Sequence, residues 1–528
     1  MHKSKHPPHL RRSAAWLIYF LLCAGTPLHA TDYFLTIGGG YQPEGNQASL
    51  EANVLFFRDV LLEKHLGPRT EAVFFADGND PAADLQVLRQ PVKAEPGERN
   101  AAATAVMDVL ESLYSFRGNQ PVEYRNHKIS NVAGANSPTS IHANLQYISK
   151  IMSAQDRLFV YVTAHGGEAK GRNKFNTSIS CWEGQSISAR EFENWLDDLP
   201  PSAPVIMVMA QCYCGGFAHT IFESAERSRG LAPQMRVGFF AQQHDLPAAG
   251  CRPDIANDEE YSSYFWGAFV GRSRTGTPMS SADFNQDGKI SLAEAHAHAM
   301  LTSPTIDIPL RASEELLRAY SEIAGYDHRR SHDSDLPQTH AGTDTTTGSP
   351  LAGMTGTASA VVMHTTPEIQ HTVTGLLSQL DLKADDDITT IFDRLEEVRD
   401  AGRYLRRTAS RSRRRGSGRR ELRSEIAQQW PELSGQDWRD AEVLRSAEQA
   451  ALLGEIERLP SFPQFHANQL ARDQMSEALE QNELREVKFQ RLIYTLEAIV
   501  LAQNLPQLAQ PDVLEHYRRM LAVEQSTL

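Results

Sequence analysis

The stretch Val205 to Phe217, VIMVMAQCYCGGF, constrains the chain most: six consecutive apolar residues stop abruptly at two cysteines and a glycine pair. An apolar run without alternation is how a strand reads when helices cover both its faces, and such strands lie in parallel sheets. A second run, RLFVYVTAHGGE from Arg157 to Glu168, is equally apolar and β-branched and ends at His165 and Gly166. Active sites of parallel sheets form at the carboxyl ends of the strands, so two neighbouring strands would present an imidazole beside a thiol. Only the thiolate attacks, and a nearby imidazole both lowers the thiol pKa and takes its proton. The two residues lie 47 positions apart (212 − 165). Alone, each has a plain structural reading, a small buried thiol or a tight turn. Together, after two such strands, they point to a catalytic dyad.

The surrounding elements alternate. A strand over Tyr33–Ile37 precedes a helix whose Leu50, Val54, Phe57 and Leu61 share one face, then comes a strand at Glu71–Asp77 and a helix over about 100–116. Thr139 or Ser140 is expected to cap a helix carrying Ile141, Leu145, Ile148 and Met152, which leads into the histidine strand. Ser188 and Glu191 form a capping box before Phe192 and Trp195. After the cysteine turn, Phe217–Ser228 reads as helix, MRVGFFAQQ as strand and SSYFWGAFV as helix. Strands alternating with helices imply an α/β fold with a mostly parallel, right-handed crossover sheet.

At these residues the chain resembles the caspase-like cysteine peptidases, the legumain branch and its bacterial relatives more than the caspases proper. YVTAHG (Tyr161–Gly166) is similar to the legumain histidine strand and QCYCGG to its nucleophile turn, over roughly residues 32–300. The resemblance implies a caspase-like sheet, Cys212 as nucleophile, His165 as general base, and the backbone amides of Gly166 and Cys212 as oxyanion hole. Two positions depart from the pattern: Gln211 replaces a small residue, and Cys214 stands where legumains carry Ser. Matching GNQASLEAN to the legumain segment on Gln-Ala puts Gly45 and Asn46 where legumains carry the Arg-His of the primary specificity pocket. Without an arginine to pair with an acidic side chain, cleavage after Asp is expected to be poor, unless another arginine such as Arg252 fills the role.

Residues 1–30 read as a secretory signal: Lys3, Lys5, Arg11 and Arg12, then AAWLIYFLLCAG, then Leu28-His29-Ala30. The apolar run is short for a membrane span, and an uncleaved N-terminal anchor is the alternative. An extracytoplasmic location, periplasmic or secreted, follows, with no stable membrane span in the mature chain. Cleavage takes the formal charge from −14 to −18 (−14 − 4), which argues against a nucleic-acid partner. A peptidase domain over 31–327 would be followed by a His/Asp/Thr/Gly/Ser-rich disordered linker over 328–367 and an all-α region over 368–528. That helical region carries no chemical motif and is expected to bind a partner or to self-inhibit. Inside it, Arg403–Arg420 holds nine arginines and no acid, and reads as a solvated loop, a polyanion patch or a processing site. Cys181 and Cys251 could pair, which sequence does not decide.

The most specific motif is DFNQDGKISLAE, Asp283–Glu294. It fits a calcium loop: Asp283, Asn285 and Asp287 give oxygens, Gly288 makes the sharp turn, Lys289 gives its carbonyl, Ser291 acts through water, and Glu294 closes the shell. RSRTGTPMSSA before it is a poor helix, so a lone loop with only its exiting helix is expected, with His296 and His298 as surface residues on that helix. Two functions remain in view: an exported, calcium-binding cysteine endopeptidase acting on protein or peptide, or an inactive caspase-like calcium scaffold. A redox role for Cys212 and Cys214 is weak, since their spacing is not Cys-x-x-Cys.

Overall fold

The computed structural model describes residues 30–66, 70–88, 101–114, 122–249, 260–326, 351–414, 418–434, 438–444 and 449–528. The expected signal segment before residue 30, Cys251, Arg252, residue 327 and positions 328–350 of the expected linker lie outside the described residues.

The strands are β1 (Asp32–Gly39), β2 (Glu71–Phe75), β3 (Leu85–Leu88), β4 (Val122–Arg125), β5 (Arg157–Ala164), β6 (Gly166–Gly167), β7 (Ser178–Ser180), β8 (Ser186–Ser188), β9 (Val205–Met209), β10 (Arg236–Phe240) and β11 (Leu310–Arg311). The central sheet has the order β11-β10-β9-β5-β1-β2, and only β11 runs antiparallel. The fold is therefore α/β, as the pattern requires. Phe159 and Tyr161 face one layer, where Phe57 and Trp266 of the helices Ala48–Glu63 and Tyr261–Val270 pack on Tyr161. The opposite face is covered by helices Pro138–Ile151 and Ala189–Leu196. There Arg236, with none of its side chain exposed, pairs with Glu193 and Asp197. The capping box of Ser188 and Glu191 forms as expected. For the helix before the histidine strand the cap is Ser137, not Thr139 or Ser140, because Pro138 sits at the first helical position, where its missing N–H costs nothing.

Four expectations are corrected. Phe217–Ser228 is not an α-helix but three short 3-10 turns, since Ser224 and Ala225 are left-handed and the Thr220 carbonyl is taken by Arg236 at 2.7 Å. The arginine run is not a loop up to Arg414: it belongs to the helix Ile388–Arg414, and a second helix starts at Arg419. Arginine is a good helix former, and acids three residues away pair with Arg394, Arg399 and Arg403. The linker is shorter than 328–367, because Met354, Ala358, Val361 and Val362 are buried. His296 and His298 are not surface residues but are 6% and 1% exposed, on a helix buried nearly all round.

The C-terminal region is helical but is no appendage. The 47-residue helix Phe462–Leu508 sends Phe489, Leu492, Leu496, Val500 and Leu505 into the same core as the sheet. Its beginning joins a second core, where Leu422, Ile426 and Phe465 meet Val106, Leu110 and Leu113 of the helix Ala101–Tyr114 inserted between β3 and β4.

Candidate active site

The parallel register of β5 and β9, Tyr161 with Val208 and Val162 with Met209, brings their carboxyl ends side by side. Pairing extends one step further, Ala210 N–H donating to Val162 O at 2.9 Å. Beyond it the two backbones touch: a Cβ on Gly166 would fall 1.9 Å from the Cys212 carbonyl oxygen. Only glycine permits that approach. His165, the residue before it, is thereby fixed beside the cysteine turn, and Tyr213 in the left-handed region turns the chain sharply after Cys212.

His165 Nε2 lies 2.7 Å from Gly45 O and 2.8 Å from Gln47 Oε1. Both are acceptors, so Nε2 carries the proton and Nδ1 keeps the lone pair. Burial lowers the imidazole pKa, and the Gly45 bond opposes that only in part. The result is a neutral ring with one basic nitrogen at neutral pH. Sequence reasoning misses Gln47; a polar residue opening the helix after a strand-end glycine turn is the only signal for it. Gly45 thus offers a carbonyl to the histidine, and Asn46 is fully buried, its amide spent on Gly40 N–H and on Asp84. The side chain of Asn46 is turned into the protein, away from any substrate.

Among the described cysteines Cys212 alone is partly exposed, its Sγ 3.7 Å from Ala248 O. Cys214 is fully buried, donates to Gln242 O at 3.5 Å and accepts from Gln242 N–H at 3.2 Å. Burial pushes its thiol far above the usual range and that of Cys181 up to about 12. The described thiol suited to attack is that of Cys212. Gln211 is buried behind it and packs against Gly166. One step below His165 on the same strand face, Asn53 Nδ2 donates to Thr163 Oγ1 at 2.9 Å and to the Glu260 carboxylate. Burial pushes Glu260 up to about 7.

In the loop Asp283–Glu294, Gly288 takes φ +81 at the turn position. Asp283 accepts from Asp287 N–H at 3.1 Å and Gly288 N–H at 3.0 Å, and Asp287 accepts from Lys289 N–H at 2.8 Å. Glu294, 1% exposed, accepts from Phe284 and Asn285 N–H with one oxygen and from Ser291 with the other. No helix leads directly into the loop, residues 271–282 being non-helical, and the helix Leu292–Thr302 leaves it, as expected for a lone loop. Its last residues are bridged to the chain near Leu528: Ser291 makes an isolated β-bridge with Thr527, and Leu292 N–H donates to Ser526 O at 3.0 Å. Among the described residues no group of three or more His, Cys, Asp or Glu stands at metal-ligating separation. The loop's donors include an amide and a carbonyl, and an all-oxygen set of this kind suits calcium.

No family model and no curated protein matches the chain. Among solved structures it aligns with protein GSU0716 from Geobacter sulfurreducens, at 9% identity over 53% of this chain and 92% of that one, with a TM-score of 0.28. That likeness carries no argument about fold or function. Among the described residues no helix is long and apolar enough to cross a membrane.

Proposed function

We propose that the chain is an exported cysteine endopeptidase working through Cys212 and His165. The observation that carries this reading is the contact of Gly166 with the Cys212 backbone, next to a histidine whose Nε2 is tied to Gly45 and Gln47. His165 Nδ1 takes the thiol proton, and the thiolate attacks the substrate carbonyl. The developing oxyanion is met by the amides of Gly166 and Cys212. The imidazolium returns its proton to the leaving amine, and the freed amine departs. Water, deprotonated by the same nitrogen, then hydrolyses the thioester. Asp283, Asn285, Asp287, Lys289 O and Glu294 would hold calcium, with Ser291 acting through water; when bound it neutralises the loop's carboxylates. With Gly45 contributing only a carbonyl, no preference for Asp is expected. The alternative of an inactive calcium scaffold is favoured by one observation, the thiol resting on Ala248 O.

The test is a fluorogenic peptide panel on the mature chain. Hydrolysis abolished by Cys212→Ala and by His165→Ala, without Asp preference, is the expected result. Turnover surviving in Cys212→Ala removes the nucleophile, and no turnover on any peptide favours the scaffold.

A further inference from the structure

A buried arginine far along the chain reaches the nucleophile through a single strap. Arg491, on the long C-terminal helix, is 1% exposed and donates to four backbone carbonyls, those of Met300, Ser303, Thr305 and Asp307. Among the described residues no carboxylate takes a direct bond from it; the guanidinium is spent on the backbone of residues 300–307, the segment leaving the calcium-loop helix. That strap in turn holds residues 242–249. Ala249 N–H donates to Asp307 Oδ1 at 2.8 Å, Ile308 N–H to Gln242 Oε1 at 3.2 Å, and Gln242 Nε2 to Ile306 O at 3.3 Å and Pro247 O at 3.2 Å. Gln243 Nε2 adds a bond to Ile308 O at 3.1 Å.

Residues 242–249 are the outer wall of the cysteine turn. Tyr213 N–H donates to Leu246 O at 3.0 Å and Gly215 N–H to Gln242 O at 2.9 Å. Cys214 Sγ accepts Gln242 N–H, and Cys212 Sγ faces Ala248 O. Apart from that to the exposed Pro247, every link is a polar contact between buried or half-buried groups, so a shift of the strap moves the wall and with it the thiol.

We infer that Arg491 and Asp307 are positioning residues for Cys212: they fix the strap 303–308 so that the 246–249 wall sets the thiol's place beside His165. The inference rests on the peptidase reading of Cys212. It also assigns the C-terminal helices a role opposite to that of a removable inhibitory segment, because detaching them would take Arg491 out of the catalytic domain.

The test is the pH dependence of Cys212 alkylation by iodoacetamide in the full mature chain, followed at that residue by mass spectrometry. Fold is checked by circular dichroism and by melting above the assay temperature. Wild type is expected to react with an apparent pKa below the roughly 8.5 of a free thiol. In Arg491→Met the profile moves up towards that value, and alkylation at pH 6.5 slows by about tenfold for every pH unit the profile moves. Arg491→Lys, which keeps the charge and three donors, recovers part of it. Asp307→Ala removes the carboxylate that accepts the Ala249 N–H and leaves residues 246–249 unaltered, and is expected to move the profile the same way; it decides the matter alone if Arg491→Met does not fold. A lowered wild-type profile that stays unchanged in the folded variants overturns the strap. A wild-type profile already at the free-thiol value overturns dyad and strap together.

Discussion

Around Cys212 the backbone is tied to residues far away: Tyr213 N–H to Leu246 O, Gly215 N–H to Gln242 O, and Thr177 Oγ1 to Tyr213 O. In the loop Asp283–Glu294 the carboxylate oxygens instead accept the loop's own amides, and among the described residues the carboxylates of Asp283 and Asp287 bond to nothing beyond it. The first turn is as rigid as the core it is bonded to. The second can be ordered further by a ligand, because its partners are exchangeable amides and not another element. The proposed catalytic geometry is built by long-range packing, whereas the proposed cation loop is built by local sequence.

Rigidity by burial has an electrostatic cost that the exposed loop escapes, and it gives the largest expected effect. Glu260 has its folded pKa raised by burial from 4.5 to about 7. Its neutral form therefore favours the fold below pH 4.5, and that contribution is lost as pH rises through about 7. Relative to Glu260→Gln, wild type should lose about 3 kcal/mol between pH 4.5 and 8. Parallel stability curves from urea unfolding at each pH would show that this buried acid contributes nothing to the pH dependence.

Next comes the contact between the two strand ends. A methyl at position 166 would sit 1.9 Å from Cys212 O, so Gly166→Ala must push the cysteine turn away. A loss of about a hundredfold in kcat/KM is expected, from a displacement of about an ångström, with the calcium response intact. Activity within twofold of wild type would contradict the apposition.

The smallest effect belongs to the loop. With free calcium at about ten times the dissociation constant, wild type should gain about 1.4 kcal/mol, read as a rise in Tm that Glu294→Ala lacks and that magnesium reproduces poorly. Equal shifts in both proteins would refute the site.

What was legible in the sequence divides along the same line. The two apolar strands, the box of Ser188 and Glu191 and the turn at Gly288 are local patterns, and each is read within a dozen residues. Of the two cysteines of the turn, Cys212 is the partly exposed one and Cys214 the buried one. What was not legible depends on partners distant in sequence. His296 is buried by Tyr261, whose hydroxyl lies 2.8 Å from its Nδ1. The arginine run is helical up to Arg414 because it continues a helix begun at Ile388, where Glu396 and Glu486 hold Arg399 and Asp400 holds Arg403. Arg491 reads as one more charge on a long helix until its four carbonyl partners, 184 to 191 positions away, are known.

The proposed activity turns on Cys212 being a thiol activated by His165. A peptide-based electrophile library, offered to the mature protein at neutral pH with labelling located by mass spectrometry, tests it directly. The expected result is an adduct on Cys212 that is lost in Cys212→Ala and slowed at least tenfold in His165→Ala, the effect of raising the thiol pKa by about one. Labelling that persists unchanged in Cys212→Ala, or that is indifferent to His165, would contradict it.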